Sequence, residues 1–312
     1  MSEIYVPMRF GADEWITFCF KFLLGREPDF DGREHFREYL RNNPDISPHE
    51  FANVFIGSPE FSSKHPRQAI HSLGETASVH TINGVEIYVR QGDWVYASAI
   101  VDGVYEPWVA DIIRKCLPIG GCFLDLGGNM GIHSAVASAV VGPTGQVFVV
   151  EANAENAGLI RRSSREFGRA NIVTLPVALS DGARICLLSV DDVGTNKAIG
   201  QAGEPVMTAA LDQLLPDLER VDLIKLDVEG HEEFVIRGAQ QTINRFKPPI
   251  IAEYSRHDNR QPYVKSLFEM GYSVRLIRHD CTLSDFCANT DLLDKLIPES
   301  SPVMDILFTR SD

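Results

Sequence analysis

The most informative stretch of this sequence is CFLDLGGNMG at residues 122–131. Its first five residues are apolar apart from Asp125, which predicts a short buried strand. A glycine turn follows, and IHSAVASAVV at residues 132–141 has the composition of a helix. A strand, a glycine turn and a helix in this order form a platform for nucleotide cofactors, because glycines let the ligand approach the backbone and the helix N-terminus offers free N–H groups.

The turn differs from the one that binds dinucleotides. In GGNMG the third and fifth places are Asn129 and Gly131, so the G-x-G-x-x-G fingerprint is absent. An acidic residue, Asp125, stands two places before Gly127. A carboxylate there would repel a pyrophosphate, but it suits the ammonium group of an amino-acid cofactor, directly or through water.

A second acidic residue follows the next predicted strand. QVFVV at residues 146–150 is apolar and ends in Glu151, 24 residues after Gly127. A carboxylate at this place can accept hydrogen bonds from both ribose hydroxyls. Together the two acidic strand ends predict a site for an adenosyl amino acid.

A third group of polar residues lies in VDLIKLDVEGHEE at residues 221–233. The start of this run is a buried-type strand, and a helix is predicted from Glu232 to about Phe246. A lysine inside such a strand is costly to bury unpaired, so Lys225 is expected to meet a carboxylate or a polar cleft. Asp227, Glu229 and His231 crowd the loop after the strand, where open α/β sheets bind ligands, which favours chemistry at this point.

The rest of the chain indicates three parts. Residues 1–65 have helical spacing of apolar residues and predict a small helical module. Residues 66–104 are predicted to hold a linker and a β-hairpin, because VHTINGVEIYV alternates around Asn83-Gly84. Residues 105–312 alternate apolar strands with helices, which predicts a doubly wound parallel sheet with helices on both faces.

Composition narrows the classes of function. The 312-residue chain has a formal net charge of −14 and no Lys/Arg cluster, which disfavours nucleic-acid partners. The six cysteines form no C-x-x-C pair, no run of about 18 apolar residues predicts a membrane span, and no secretory signal is recognised. We therefore expect a cytoplasmic protein with reduced thiols, whose oligomeric state the sequence leaves open.

Several motifs in order resemble one enzyme family. DLGGNMG at residues 125–131 and VVEAN at residues 149–153 resemble motifs I and II of class I methyltransferases in the FkbM variant, with Gly128 in place of Ala and Asn153 in place of Pro. KLDVEGHEEFVIRGA at residues 225–239 resembles the K-x-D-V-E-G-x-E signature of that family.

Weaker elements of the same family surround these motifs. Tyr105-Glu106 resembles its Y-E pair, PPIIAE at residues 248–253 resembles its following strand, and Thr208 with Leu211-Asp212 resembles a T-L-D element interrupted by two alanines. Separately, LGREPD at residues 24–29 and GSPEF at residues 57–61 resemble a helical module related to phycobilisome-linker repeats.

The FkbM resemblance implies a Rossmann-like class I methyltransferase sheet at residues 105–312 and S-adenosylmethionine as cofactor. In that reading Glu106 covers the methionine part, Ser180 and Asp181 lie beside the adenine, and Asp227 lies next to both cofactor and acceptor. The full set of expected cofactor-binding residues is Glu106, Asp125, Gly127, Asn129, Gly131, Glu151, Ser180, Asp181 and Asp227.

The expected reaction is O-methylation of a hydroxyl on a sugar or natural product. Such an acceptor needs a base, and the candidates are His231 and Glu229, with Asp227 beside them; His231 has the more suitable intrinsic pKa. Three alternatives stay open: a non-catalytic cofactor-binding scaffold that recruits a partner through its helical module, methylation of a nitrogen or carboxylate, and a divalent cation held by Asp227, Glu229 and Glu253. A nicotinamide oxidoreductase is disfavoured, because the dinucleotide fingerprint is missing. We predict no resident metal, since no spacing identifies one.

Overall fold

The computed structural model describes residues 12–13, 16–17, 19–20, 26–44, 51, 54–55, 60, 77–90, 96–188, 199–200, 204–255, 261–287, 289–297 and 303–310. The chain forms two compact units, residues 1–75 and residues 76–312. Their boundary falls inside the segment predicted as linker and hairpin. The domain limits given above stay predictions.

The first unit contains a helix and an aromatic cluster. Helix α1 (Phe30–Asn42) begins after Asp29, whose side chain accepts a hydrogen bond from the backbone of Gly32, as expected of an N-cap. Phe36 stacks on Phe55 with ring centroids 4.1 Å apart. The phycobilisome-linker resemblance stays a prediction, because part of each of its two motifs lies outside the described residues.

The second unit alternates strands and helices. In chain order its elements are β1 (Ala77–Ile82), β2 (Val85–Arg90), α2 (Ala97–Asp102), α3 (Pro107–Cys116), β3 (Cys122–Leu126), α4 (Ile132–Val141), β4 (Gln146–Val150), α5 (Ala154–Glu166), β5 (Ile172–Leu175), β6 (Ala178–Leu179), β7 (Arg184–Leu188), β8 (Ile199–Gly200), β9 (Glu204–Ala209), α6 (Leu211–Leu214), β10 (Leu223–Leu226), α7 (Glu232–Gly238), α8 (Gln240–Phe246), β11 (Ile250–Ser255), α9 (Gln261–Glu269), β12 (Tyr272–Leu276), α10 (Thr290–Leu296) and β13 (Val303–Arg310).

The predicted hairpin is confirmed. Strands β1 and β2 pair antiparallel, from Ala77 opposite Arg90 to Ile82 opposite Val85. Asn83 and Gly84 both have positive φ, 53° and 81°, as a two-residue hairpin turn requires.

The predicted fold class is also confirmed. Among the described residues, seven strands form the central sheet in the order β12-β13-β11-β10-β3-β4-β5, and β13 runs antiparallel to the other six. Alternate residues of β3 face opposite sides. Leu124 belongs to the core that includes Val235 of α7 and Leu267 of α9, whereas Asp125 on the other side bonds Ser134 of α4. Helices therefore cover both faces, as in a Rossmann-like class I methyltransferase sheet.

The single helix predicted from Glu232 to about Phe246 is wrong. Two helices, α7 and α8, occupy this stretch, and Ala239 between them has φ −115° and ψ 10°. The carboxylate of Asp212 accepts from the backbone N–H groups of Gln241 and Thr242 at 2.8 and 2.9 Å. These bonds satisfy the free donors of a new helix start, so the helix can break here.

A small second sheet was not foreseen. In the described part of the chain it has the order β6-β9-β7-β8 and lies in sequence between β5 and β10. No helix among the described residues is long and apolar enough to cross a membrane.

Candidate functional site

The glycine turn packs directly against the backbone of the residue that follows strand β10. Gly127 has φ +96°, and a Cβ there would lie 1.7 Å from the carbonyl oxygen of Asp227. A Cβ on Gly128 would lie 2.2 Å from Cγ1 of Val149. The N–H groups of both glycines donate to the carbonyl of Val150, at 2.9 and 3.2 Å. The turn therefore has room for backbone only, which is why glycine stands at both positions.

Glu151 is anchored to the same turn. Its Oε2 accepts from the N–H of Asn129 at 2.8 Å, and its Oε1 accepts from the N–H of Asn153 at 2.7 Å. Asn129 has a positive φ of 47°, and its Oδ1 accepts from Asn156 at 3.0 Å. These bonds hold the carboxylate of Glu151 in a fixed place at the end of β4.

Asp125 lies below the turn and is only 1% exposed. Its Oδ2 accepts from the hydroxyl of Ser134, while its Oδ1 has no hydrogen-bond partner within the described structure. Burial raises the pKa of Asp125, against the opposing effect of the nearby Lys225. A buried carboxylate oxygen without a partner is unusual and has capacity for one more hydrogen bond.

Lys225 pairs with acidic residues, as its sequence context predicted. Its Nζ donates to Oδ2 of Asp227 at 2.8 Å, and it stands opposite Asp125 in the β3–β10 register. Burial pushes the pKa of Lys225 down, but the carboxylates of Asp227, Asp125 and Glu106 outweigh burial and raise that pKa. Lys225 is therefore a permanent positive charge among carboxylates.

Glu106 begins helix α3 with a positive φ of 40°. Nε2 of His133, on α4, lies 2.7 Å from Oε2 of Glu106, so that an Nε2–H donates to the carboxylate. Burial raises the pKa of Glu106, but the bond to His133 and its charge outweigh burial and lower the pKa overall.

A further carboxylate at this edge was missed from the sequence. Asp305 stands opposite Glu253 in the β11–β13 register, and its Oδ2 accepts from Nε1 of Trp108 at 2.7 Å. Burial and the neighbouring Glu106 raise the pKa of Asp305 to about 7. Trp108 and Asp305 are 197 positions apart, so no local pattern could have joined them.

A cleft of about 670 Å³, open to solvent, lies at the carboxyl ends of the strands. It brings together six predicted site residues: Gly127, Asn129, Glu151, Asp227, Glu229 and His231. Its other lining residues are Val150, Ala152, Asn156, Val177, Ala178, Leu179, Leu188 and Val228. Five predicted residues are not among the lining ones: Glu106, Asp125, Gly131, Ser180 and Asp181.

His231 stands at the start of α7 on one wall of this cleft. Its ring stacks on Phe234, with centroids 4.4 Å apart and planes 12° apart. Its Nε2 lies 3.0 Å from the hydroxyl of Ser180. Burial, with a smaller effect of Arg184, lowers the pKa of His231, so the ring is neutral at pH 7. Glu229 is exposed and has a positive φ of 52°.

Ser180 is placed behind His231 rather than on the cleft surface. It is fully buried, and its hydroxyl contacts Asp181 and Arg184 as well as the histidine. No local pattern in the sequence indicated these contacts, because Ser180 and His231 are 51 positions apart. The adenine-side role of Ser180 and Asp181 stays a prediction.

The cleft residues fit an adenosyl amino acid. The carboxylate of Glu151 suits vicinal hydroxyls, and the apolar wall that includes Val177, Leu179 and Leu188 suits a flat heteroaromatic ring. Gly127 admits a ligand close to the backbone, and one oxygen of Asp125 has no hydrogen-bond partner among the described residues. Among the residues that the structure describes, no group of three or more His, Cys, Asp or Glu side chains is arranged to hold a metal ion.

Comparison with known proteins agrees with this site. Residues 125–277 match a family model described as the methyltransferase FkbM domain. A search of curated proteins found no match. The solved structures that are similar include methyltransferase FkbM from Methylobacillus flagellatus KT, at 12% identity over 90% of this chain and 71% of that one, with a TM-score of 0.42. Another is a SAM-dependent O-methyltransferase from Thermotoga maritima, at 14% identity over 78% of this chain and 82% of that one, with a TM-score of 0.42.

The family match, which spans the turn at Gly127, the strand end at Glu151 and the loop at Asp227, supports the predicted cofactor, S-adenosylmethionine. It begins at Asp125 and ends at Ile277, so it leaves Glu106 and Asp305 outside. Residues 125–277 of this chain are thus similar to a methyltransferase FkbM domain.

Proposed function

We propose that this protein uses S-adenosylmethionine to methylate a hydroxyl group of a sugar or natural product. One observation carries the proposal: the lining of a single cleft includes the glycine turn and Glu151 together with Asp227, Glu229 and His231. A cofactor held by the glycine turn and Glu151 would therefore share its cleft with ionisable side chains that suit proton transfer.

The residues that would hold the cofactor follow from their chemistry. Glu151 accepts hydrogen bonds from the ribose hydroxyls, and the apolar wall with Leu179 and Leu188 packs on the adenine. Asp125 offers its free oxygen to the ammonium group, directly or through water. When bound, S-adenosylmethionine supplies a methyl group activated by the sulfonium for in-line displacement. The protein mainly contributes alignment, which is worth about 7 kcal/mol or more in good models.

His231 is the proposed general base. A hydroxyl acceptor must lose its proton as the new C–O bond forms, and a neutral imidazole can take it. Burial keeps the pKa of His231 low, so the base form is present at pH 7. A positioned base of this kind typically contributes about 10²–10⁴-fold to the rate.

The acidic residues of the cleft support a polyhydroxylated acceptor. Asp227 and Glu229 line the cleft, and ionised carboxylates only accept hydrogen bonds. Several hydroxyls on one acceptor can donate to them, whereas a phosphate or carboxylate acceptor would be repelled. This charge pattern favours a neutral sugar-like molecule over an anionic one.

The test is a screen with labelled methyl donor against glycan and natural-product panels, followed by kinetics on the best acceptor. His231→Ala should lower turnover about 10²–10⁴-fold while the affinity for S-adenosylhomocysteine stays unchanged. His80→Ala, in the hairpin, is the matched control and should behave like the wild type. Full turnover in His231→Ala would remove the base from the mechanism and favour an acceptor that needs none, such as an amine.

A further inference from the structure

The hydroxyl of Ser180 joins three polar side chains behind the cleft. Nη2 of Arg184 donates to Oγ of Ser180 at 2.9 Å. The same Oγ lies 3.3 Å from Oδ1 of Asp181 and 3.0 Å from Nε2 of His231. Arg184 also forms an ion pair with Asp181. Because Ser180 is fully buried, its hydroxyl must find these partners within the protein.

Counting donors and acceptors limits how these bonds can be arranged. A serine hydroxyl has one proton to donate and two lone pairs that accept. Arg184 only donates, so it uses one lone pair. The single proton of Ser180 then goes either to the carboxylate of Asp181 or to Nε2 of His231. A hydrogen bond to an ionised carboxylate is about twice as strong as one between neutral groups, which favours Asp181.

The acceptor of the Ser180 proton, either Asp181 or His231, decides which nitrogen of His231 can act as a base. If Ser180 donates to Asp181, its second lone pair accepts an Nε2–H from His231, and Nδ1 of the ring carries a free lone pair. If Ser180 donates to Nε2, the proton of the neutral ring sits on Nδ1, and neither nitrogen is open to an acceptor. Within the described structure, Ser180 is the only hydrogen-bond partner of the His231 ring.

We propose that Asp181, acting through Ser180, holds His231 in the Nε2–H tautomer and so leaves Nδ1 as the base. Asp181 and Ser180 are then positioning residues for the reaction. The arrangement also suits the protonated ring, since an imidazolium keeps the same Nε2–H bond to Ser180 while it carries the acceptor's proton on Nδ1. This inference rests on the proposed role of His231, but it concerns a property that exists without any acceptor.

The stack on Phe234 completes the arrangement. With ring planes 12° apart, Phe234 restricts rotation of the imidazole about its own axis. Ser180 and Phe234 thus hold the ring from two directions, and the identity of the protonated nitrogen is left to the Asp181–Ser180 bond.

The tautomer can be read by ¹⁵N NMR of the histidine side chains in the full-length protein, at alkaline pH where the rings are neutral. His231→Ala assigns the signal among the nine histidines. The wild type should show His231 protonated on Nε2. Asp181→Ala should shift the tautomer ratio towards Nδ1–H by about tenfold or more, because the charge-assisted hydrogen bond is lost and Ser180 then donates to Nε2.

Two controls separate this effect from general disturbance. Asp181→Asn keeps an oxygen that can accept the serine proton and should restore the Nε2–H form. Ser78 lies 2.7 Å from Nε2 of His80 in the hairpin, so Ser78→Ala removes another serine–histidine contact. That variant should leave the His231 signal unchanged.

An Nδ1–H form of His231 in the wild type would overturn the inference, and so would an unchanged tautomer in Asp181→Ala. Once an acceptor is identified, kcat of Asp181→Ala should be lower than that of the wild type, while KM for the acceptor stays the same. Full turnover in His231→Ala would instead remove the proposed base and leave the tautomer result standing. The two failures are therefore distinguishable.

Discussion

At the scale of single residues, the site depends on the close approach of the turn to β10. Gly127→Ala adds a Cβ 1.7 Å from the backbone oxygen of Asp227 at a φ of +96°. We expect a loss of about 3–5 kcal/mol in the free energy of unfolding, from backbone strain and overpacking together, and a loss of cofactor binding. Urea unfolding and a thermal shift with S-adenosylhomocysteine measure both.

Gly142 is the matched control for this substitution. It also has a positive φ, +68°, but a Cβ there meets nothing within 4 Å. Gly142→Ala should therefore cost only the strain of its backbone conformation (φ 68°, ψ −173°), about 1–3 kcal/mol, and should leave binding intact. Equal losses in the two variants would show that the contact with Asp227 is not the cause.

Asp305 should make the protein less stable as pH rises from about 4 to 7. Its pKa is raised from 3.8 to about 7, by burial and then by Glu106. In this interval the folded state keeps a proton that the unfolded state has released, so the stabilisation present below the unfolded pKa is lost as pH rises through 7. Asp305→Asn should remove this slope, of at most about 1.4 kcal/mol per pH unit, in urea unfolding at several pH values.

Asp280→Asn is the control for that measurement. Hydrogen bonds from Thr282 lower the pKa of Asp280, so its contribution is lost only as pH falls through the acid range. Asp280→Asn should therefore leave the pH dependence of the free energy of unfolding unchanged between about pH 5 and 7. An Asp305→Asn variant with the wild-type slope would contradict the raised pKa.

Residues were predictable where local chemistry allowed few choices. A lysine in an apolar strand needs an anion, and Lys225 indeed bonds Asp227. A glycine turn after an acidic strand end predicted the loop at Gly127. The partners of His231 were not predictable, because Ser180 meets it only when two distant loops fold together.

At the scale of elements, Asp212 starts helix α8. Its carboxylate accepts from two backbone N–H groups and from the hydroxyl of Thr242 at 2.7 Å. Asp212→Ala should lower the free energy of unfolding by about 1–2 kcal/mol, as loss of a helix cap does. Urea unfolding measures the change, with the exposed Asp217→Ala as control. Equal stability of the two variants would deny the capping role.

The sequence predicted the helices and strands more readily than it predicted the points at which a helix breaks. The hairpin around Asn83-Gly84 and the helix after Gly131 were predicted because turn chemistry and apolar spacing are local signals. The break at Ala239 was not, since it depends on a cap that comes from Asp212 earlier in the chain. The sheet of β6 to β9 was missed because its strands are short, two of them only two residues long.

At the scale of the whole molecule, all described residues of the cleft belong to the unit of residues 76–312. A protein truncated to those residues should fold and bind S-adenosylhomocysteine as tightly as the full chain. Calorimetric titration of both proteins measures this, with circular dichroism to verify folding. Loss of binding in a folded truncated protein would show that residues 1–75 contribute to the site.

The far edge of the site shows what the sequence leaves undetermined. Asp305 meets Trp108 and Glu253 only because β13 inserts antiparallel between β11 and β12. Strand order in a mixed sheet depends on how the whole chain packs, and no short pattern encodes it. The arrangement of the parallel strands β3, β4 and β10 was easier to predict, since their carboxyl ends must lie at one edge of the sheet.

The most direct test of the account is calorimetric titration of S-adenosylhomocysteine into the full-length wild type, Glu151→Gln and Glu155→Gln. Glu151→Gln loses a charge at the cleft and should bind about tenfold more weakly, as expected for a lost charge-assisted hydrogen bond. Glu155, whose side chain is 54% exposed on α5, should tolerate the same change without effect. No binding to the wild type, or equal affinity for wild type and Glu151→Gln, would contradict the cofactor site described here.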